Sequence, residues 1–176
     1  MGIKGTAGII ATALALVAAG CETGGHHGRH AVAELSPASG SNVRGTFHFY
    51  ETGKGVQVVA KVSGLTPGKH GFHIHETGDC SAPDASSAKG HFNPAGMKHG
   101  APTDAERHAG DFGNLEADAS GNATAKFVDA HISFEGANSI LDRAVIVHEK
   151  EDDLKSQTPT PGNAGKRVAC GKIMMQ

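Results

Sequence analysis

Short runs of alternating hydrophobic and polar residues follow one another from residue 31 onward, and turn-forming residues separate them. Alternation with a period of two indicates β-strands, because successive strand side chains point to opposite faces. Glycine- and proline-containing turns lie at 37–40, 52–55 and 66–68. The predicted strands are 31–35, 43–51, 56–62, 70–76, 111–117, 124–128, 143–148 and 167–173. Eight such strands predict an all-β fold, either an antiparallel sandwich or a barrel.

Two long segments, 77–107 and 149–166, show no periodicity. Irregular loops of more than about 12–15 residues in a compact domain are usually functional. The first loop holds Cys80, His91 and His99, and the second begins directly after His148. We therefore expect a bound metal and a disulfide to order these loops.

The N-terminus has the pattern of an export signal. Residues 1–20 contain one lysine, an apolar run at 6–19, and small residues before Cys21. This order resembles the lipobox of bacterial lipoproteins, which predicts a lipidated Cys21 and attachment to a membrane. A cleaved secretory signal and a retained transmembrane anchor are the alternatives. All three place the mature domain outside the cytoplasm, in the periplasm or cell envelope.

Residues 21–30 form a predicted flexible tether with three histidines, His26, His27 and His30. The tether either gathers metal ions or is a solvated linker with incidental histidines. The remaining residues, 31–176, form one predicted domain.

Composition narrows the class of protein. The chain has 176 residues, 25 glycines, no tryptophan and a formal net charge of −2, so nothing favours a nucleic-acid partner. Three cysteines are an odd number for an exported protein. If Cys21 carries lipid, Cys80 and Cys170 remain as one disulfide pair, and two free buried thiols are the alternative.

Seven metal-capable side chains fall between residues 72 and 149. They are His73, His75, His91, His99, His108, Asp111 and His148. Four imidazoles, those of His73, His75, His91 and His148, suit Cu²⁺. The second set, His91, His99, His108 and Asp111, offers three imidazoles and a carboxylate, which suit a structural Zn²⁺. His91 belongs to both sets because each of its ring nitrogens can bind one ion.

Six ordered motifs identify a family resemblance. They are Gly71-Phe-His-Ile-His75, Gly90-His-Phe-Asn-Pro94, Lys98-His-Gly100, Glu106-Arg-His-Ala-Gly-Asp-Phe-Gly-Asn114, Val147-His-Glu-Lys150 and Gly162-Asn-Ala-Gly-Lys-Arg-Val-Ala-Cys-Gly171. In this order, from about residue 31 to 173, they resemble copper/zinc superoxide dismutase. The resemblance implies an eight-stranded, immunoglobulin-like Greek-key barrel that converts superoxide to dioxygen and hydrogen peroxide by a copper redox cycle.

The resemblance also assigns roles to individual residues. It implies the copper and zinc sets given above, one ion of each per subunit, with His91 as an imidazolate bridge and proton source. Arg167 matches the arginine beside the copper, and Asp152 matches the carboxylate that links His73 to His99. Cys80 and Cys170 match the family's disulfide.

Other features leave alternatives open. Thr160 stands where eukaryotic relatives often carry a guiding lysine, and Lys155 or Lys166 could replace its charge. The C-terminal residues fit a homodimer or a monomer.

A non-catalytic metal-storage or metal-delivery protein is one rival function. A cupin-type enzyme is another, but it leaves the His91 to Asp111 set without a role. His48, His70 and His131 are predicted to be surface or packing residues.

Overall fold

The computed structural model describes residues 1–2, 28–157 and 159–176. Most of the predicted signal peptide, Cys21, His26 and His27 lie outside these described residues. All eight predicted strands are confirmed, with ends that differ by at most two residues. They are β1 His30–Pro37, β2 Arg44–Thr52, β3 Gly55–Ser63, β4 Gly68–His75, β5 Asp111–Ala117, β6 Ala123–Asp129, β7 Ala144–His148 and β8 Arg167–Met175.

The strands form one antiparallel sheet in the order β5-β4-β7-β8-β1-β2-β3-β6. The edge strands β5 and β6 lie against each other, so the sheet curls into a nearly closed barrel. Strands β1 to β3 follow one another as hairpin neighbours, whereas β4 lies apart from β3, beside β5 and β7. This order confirms the predicted all-β barrel with Greek-key connections.

Phenylalanine rings and branched aliphatic side chains fill the barrel interior. Phe47, Phe49 and Phe72 are at most 1 % exposed. The Phe72 ring centroid lies 5.8 Å from that of Phe47 and 5.6 Å from that of Phe112. Burial of each large apolar side chain contributes roughly 1.5–3 kcal/mol. The interior is therefore a packed apolar core.

Helical structure is limited to three single turns in the described residues, at Ser86–Ala88, Gly136–Asn138 and Pro161–Asn163. No helix among these residues is long and apolar enough to cross a membrane.

A second, smaller apolar cluster lies outside the barrel, where the 77–107 loop covers β7 and β8. It includes Ala85, Ala88 and Ile146, and the disulfide between Cys80 and Cys170 borders it. The bridged cysteines are 90 positions apart, so the bond removes about 4–5 kcal/mol of loop entropy from the unfolded chain in the chain-entropy account. The predicted pairing is confirmed, and it fastens the long loop to the last strand.

Candidate metal centre

The two faces of β4 carry different types of side chain. Phe72 and Ile74 point into the barrel core, so His73 and His75, which alternate with them, point outward. Both histidines are nevertheless at most 1 % exposed, because the two long loops fold over this outer face. The structure thus places the first predicted pair outside the barrel and beneath its loops.

Two further histidines reach the same place from different elements. His148 ends β7, the strand that pairs with β4. His91 comes from the 77–107 loop and forms an isolated bridge with His75, which fixes the loop against the end of β4. Potential ligand atoms of His73, His75, His91 and His148 all lie within 4.8 Å of one another. The structure brings together all four residues of the predicted copper set.

The predicted zinc set is also assembled. Potential ligand atoms of His91, His99, His108 and Asp111 all lie within 4.8 Å of one another, and all four residues are buried. Asp111, the first residue of β5, is the centre of this group. Its carboxylate lies 2.9 Å from Nδ1 of His91, 3.0 Å from Nδ1 of His99 and 3.2 Å from Nδ1 of His108.

The anchoring of the rings shows whether these residues suit a metal. In the first set, His73, His75 and His148 each bind protein through one nitrogen: to Asp152, to the Lys89 carbonyl and to the Gly165 carbonyl. Their other nitrogens are buried and have no hydrogen-bond partner among the described residues. Buried polar atoms without partners are costly, so three of them in one cluster indicate a missing common partner. Neutral imidazole nitrogens fit a copper ion.

His99 repeats this arrangement in the second set. Its Nε2 lies 2.9 Å from Oδ1 of Asp152, and its buried Nδ1 makes no well-aligned hydrogen bond within the described chain. Three imidazoles and one carboxylate form a closed tetrahedral set that suits Zn²⁺. Both sets therefore fit the ions that the sequence predicts for them.

Asp152 connects the two sets. Its Oδ2 lies 2.6 Å from Nε2 of His73, and its Oδ1 lies 2.9 Å from Nε2 of His99. Each ring must donate its N–H to this carboxylate, which leaves Nδ1 of each ring as the atom available to a metal. Asp152 thereby sets the tautomer of one histidine in each set.

Burial and neighbouring groups set the charges of the site. Burial, aided by the charges of neighbouring histidines, holds the pKa values of His75 and His148 well below the usual histidine value. Burial and His73 lower the pKa of His91 to about 3. These rings are neutral at pH 7, as metal ligands must be.

The two buried carboxyl groups of the site have lowered pKa values, although burial alone would raise them. Burial opposes the charged form of Asp111 and Asp152, but hydrogen bonds from the histidine rings outweigh it and lower both pKa values. Burial likewise opposes protonation of His99, yet its two carboxylate partners raise the pKa of His99 to about 9. Both carboxylates are therefore charged across the physiological range.

A cavity of about 530 Å³ opens onto the first set. Its lining includes His75, His91, His148 and Arg167, together with Lys150 and Lys166. The Arg167 guanidinium donates to the Ala85 carbonyl and the Lys89 carbonyl, so its position is fixed. Thr160 and Lys166 both line this cavity, whereas Lys155 does not.

Sequence reasoning missed several supports of this centre. The Asn114 amide donates to the Asp152 carbonyl and accepts from the Asp152 N–H, and the Gln157 amide forms a similar pair with the backbone of His99. His70, predicted to be a surface or packing residue, is buried, and its ring nitrogens contact the carbonyls of Thr66 and His148. Apart from the contact between His70 and Thr66, which are four positions apart, these contacts join residues that are distant in sequence. No local pattern marks them.

Arg107 is a further missed support. It is 4 % exposed, pairs with the buried Asp129, and donates to the carbonyls of His108 and Asp111. The motif that contains Arg107 was recognised, but only the fold shows that its side chain turns inward beneath the second set.

Comparison with known proteins agrees with this geometry. The family described as copper/zinc superoxide dismutase (SODC) matches residues 43–173. Extracellular superoxide dismutase [Cu-Zn] of Caenorhabditis elegans is 48 % identical over 133 residues, which are 73 % of this chain and 60 % of that protein. Extracellular superoxide dismutase [Cu-Zn] of Brugia pahangi is 43 % identical over 150 residues, covering 81 % of this chain and 74 % of that protein.

A solved structure shows the same fold. The crystal structure of the clock protein EA4 superposes with a TM-score of 0.77 at 42 % identity, and the match covers 85 % of this chain and 96 % of EA4. The family match spans most of the chain, and its residues enclose both metal-ligand sets. The chain belongs to the copper/zinc superoxide dismutase family.

Proposed function

We propose that this protein disproportionates superoxide to dioxygen and hydrogen peroxide. The observation that carries the proposal is the cluster of three buried imidazole nitrogens that have no hydrogen-bond partner in the described part of the chain. The cluster lies at the base of a cavity that a fixed arginine lines. In the net reaction one superoxide loses an electron and becomes dioxygen. A second superoxide gains that electron and two protons and becomes hydrogen peroxide.

His73, His75, His91 and His148 would hold copper, and His91, His99, His108 and Asp111 would hold zinc. Bound copper supplies a one-electron redox couple, and bound zinc supplies a fixed charge without redox chemistry. The protein contributes rigid ligands, because most of these rings are also hydrogen-bonded to protein through a second nitrogen.

Arg167 would bind the substrate anion. Burial lowers the pKa of its guanidinium, but an arginine stays charged in proteins. Two carbonyl acceptors hold the side chain at the cavity wall, so its charge and remaining N–H groups can meet superoxide with little loss of side-chain entropy. Lys166, the next residue towards the N-terminus, adds a second positive charge to the same wall.

His91 would donate a proton to the reduced substrate. Its Nδ1 faces Asp111, so its Nε2 is the ring nitrogen available to the first set. Whenever Nε2 is free of metal, it could hold a proton and pass it to the reduced substrate, which would supply one of the two protons that hydrogen peroxide requires. Asp152 positions the rings of His73 and His99 throughout.

The test is superoxide decay, followed in a stopped-flow instrument, with protein reconstituted with copper and zinc. We expect fast, copper-dependent decay in the wild type and its loss in His148→Ala prepared in the same way. Metal content of both proteins is measured alongside. Full copper and zinc occupancy without activity in the wild type would overturn the proposal and favour metal storage or delivery.

We further propose export and membrane attachment through the N-terminus: residues 1–20 as signal peptide, a lipidated Cys21, residues 21–30 as tether and residues 31–176 as the enzyme domain. Two observations support a location outside the cytoplasm: the Cys80–Cys170 disulfide, and the word extracellular in the names of both nematode relatives.

Mass spectrometry of the mature protein, with Cys21→Ser as control, tests lipidation. Analytical ultracentrifugation decides between the predicted homodimer and monomer.

A further inference from the structure

A pair of histidines lies on the outer face of the barrel, away from the metal centre. Nε2 of His30 is 3.1 Å from Nδ1 of His48. In the register of β1 and β2, His30 is opposite Tyr50 and Val32 is opposite His48, so the two histidines are diagonal neighbours on one face. The tether prediction included His30, but the structure makes it the first residue of β1.

Rigid elements hold this pair. The ring of His30 stacks on that of Tyr50, with centroids 4.4 Å apart and planes at 3°. The His30 carbonyl accepts the N–H of Gln176, and the adjacent Arg29 side chain is paired with Glu51 and Glu135. The two imidazoles therefore start from a fixed separation, which reduces the entropy lost when both bind one partner.

We propose that His30 and His48 form a further binding site for a late divalent transition-metal ion such as Cu²⁺ or Ni²⁺. Two nitrogens at bond lengths of about 2.0–2.1 Å stand about 2.9 Å apart at the 90° angle that Cu²⁺ and Ni²⁺ favour and about 3.3 Å apart at a tetrahedral angle, and the 3.1 Å separation of this pair lies between the two. Both residues are half-buried, so solvent reaches the pair. Water would fill the remaining positions.

The chemistry of the donors selects the class of ion. The pair offers imidazole nitrogen and no carboxylate oxygen, which suits copper, nickel or zinc and disfavours magnesium or calcium. Burial and the neighbouring His48 lower the pKa of His30, so its ring is neutral and its nitrogens can bind metal at pH 7. Among divalent ions, Cu²⁺ has the highest expected affinity.

This site is separate from the first two. β1 runs antiparallel to β8, with Pro37 opposite Ala169 and Ala31 opposite Met175. His30 thus lies at the far end of the barrel from Arg167, because the nine residues of β8 and the C-terminus that separate their levels span roughly 30 Å at a rise of 3.3 Å per residue. An ion at the histidine pair cannot be one of the two ions of the proposed enzyme.

The experiment uses holoprotein whose copper and zinc sites are filled, and Ni²⁺ is the probe. Calorimetric titration should show one additional site, and nuclear magnetic resonance should show paramagnetic broadening of His30 and His48. We expect His48→Ala to weaken Ni²⁺ binding at least tenfold, while the double variant His26→Ala/His27→Ala keeps it. Dismutase activity should not change in either, which separates this test from the test of the proposed function.

Circular dichroism confirms that each variant folds, and His30→Gln serves as a second substitution if His48→Ala does not. Three results would overturn the proposal: no additional Ni²⁺ bound by the wild type, unchanged affinity in the folded variant of the pair, or loss of binding in the tether variant. The first of these would leave His30 and His48 as a hydrogen-bonded pair with a purely structural role.

Discussion

Oδ2 of Asp152 lies 2.6 Å from Nε2 of His73, although 79 positions separate the two residues along the chain. The same carboxylate holds His99 through its other oxygen. One side chain therefore fixes a ligand ring in each metal set, and the sets cannot be ordered independently of each other.

Replacement of this carboxylate should weaken both metal sites. In Asp152→Asn one oxygen becomes an NH₂ donor, which faces a ring N–H and repels it. We expect affinity for the metals to fall roughly 10–100-fold, as is usual when the group that orients a ligand is lost. Metal content after dialysis against a chelator measures this. Asp153→Asn is the matched control, because within the described residues that exposed carboxylate accepts hydrogen bonds from two backbone N–H groups and the Ser156 hydroxyl and does not contact either metal set. Equal metal retention in both variants would contradict the role of Asp152.

The planar guanidinium group of Arg167 should contribute to activity in addition to its positive charge. Arg167→Lys keeps a cation but cannot reach both the Ala85 and Lys89 carbonyls while presenting N–H groups to an anion. We expect kcat/KM for superoxide to fall about tenfold or more with both metals retained. The conservative control is Arg44→Lys, an exposed position on β2, which should keep wild-type kcat/KM. A lysine variant as fast as the wild type would show that charge alone suffices.

Lys166 should attract superoxide over a distance. It lines the same cavity as Thr160, which is uncharged. The Lys166→Glu variant should therefore have a lower kcat/KM, and the decline of kcat/KM with rising salt should weaken or reverse. Lys54→Glu changes net charge by the same amount at the β2–β3 turn, at the other end of the barrel, and should have little effect. Equal rate losses in the two variants would mean that net charge acts rather than position.

The backbone of Lys89 should be strained. Its φ of 63° and ψ of −147° fall in a region that is used almost only by glycine, at a cost of about 1–3 kcal/mol. Its carbonyl meanwhile accepts from both His75 and Arg167. We expect Lys89→Gly to stabilise the protein by about 1 kcal/mol, because relief of strain exceeds the added freedom of the unfolded chain.

The measurement for Lys89 is the free energy of unfolding in guanidinium chloride with metals bound. Ser87→Gly, at a neighbouring position without a positive φ, should destabilise instead. If both glycine variants lose stability, the conformation of Lys89 carries no significant strain.

Acid should destabilise the metal-free protein. The pKa values of His75, His91 and His148 are lowered by burial in the fold, so below pH 6.5 the unfolded chain binds protons that the folded chain refuses. The lowered pKa values of Asp111 and Asp152 act in the same direction at lower pH. The raised pKa of His99 adds stability as the pH falls from about 9 to 6.5 and adds no slope below pH 6.5, where its ring is protonated in both the folded and the unfolded chain. Stability should therefore fall from pH 6.5 to pH 4, by up to about 1.4 kcal/mol per pH unit for each group.

Thermal unfolding at a series of pH values tests this expectation. The metal-loaded protein is the control, and its Tm should hold to lower pH because metal-bound nitrogens cannot take up protons. A metal-free Tm that is constant or rises between pH 6.5 and pH 4 would contradict the assignment of neutral, buried rings.

The strands were predictable because each has a single buried face or a run of apolar residues, and turn residues mark its ends. The seven residues that the structure brings together in the two candidate metal sets could be picked out because their local motifs are specific. Lys89, His30 and Arg107 were not. The conformation of Lys89 depends on two donors from distant strands, His30 acquires its partner only through the β1–β2 register, and Arg107 turns inward to meet Asp129. Sequence patterns report local geometry, and these three features arise from tertiary contacts.

The antiparallel arrangement of β1 and β8 also determines which end of the barrel the N-terminal segment joins. The chain enters the barrel at His30, and the cavity wall at Arg167 is at the opposite pole. The proposed lipid on Cys21 would thus attach the protein to a membrane from the pole opposite the cavity. The mouth of the cavity would then stay clear of the attachment point, whichever way the tether lets the domain turn.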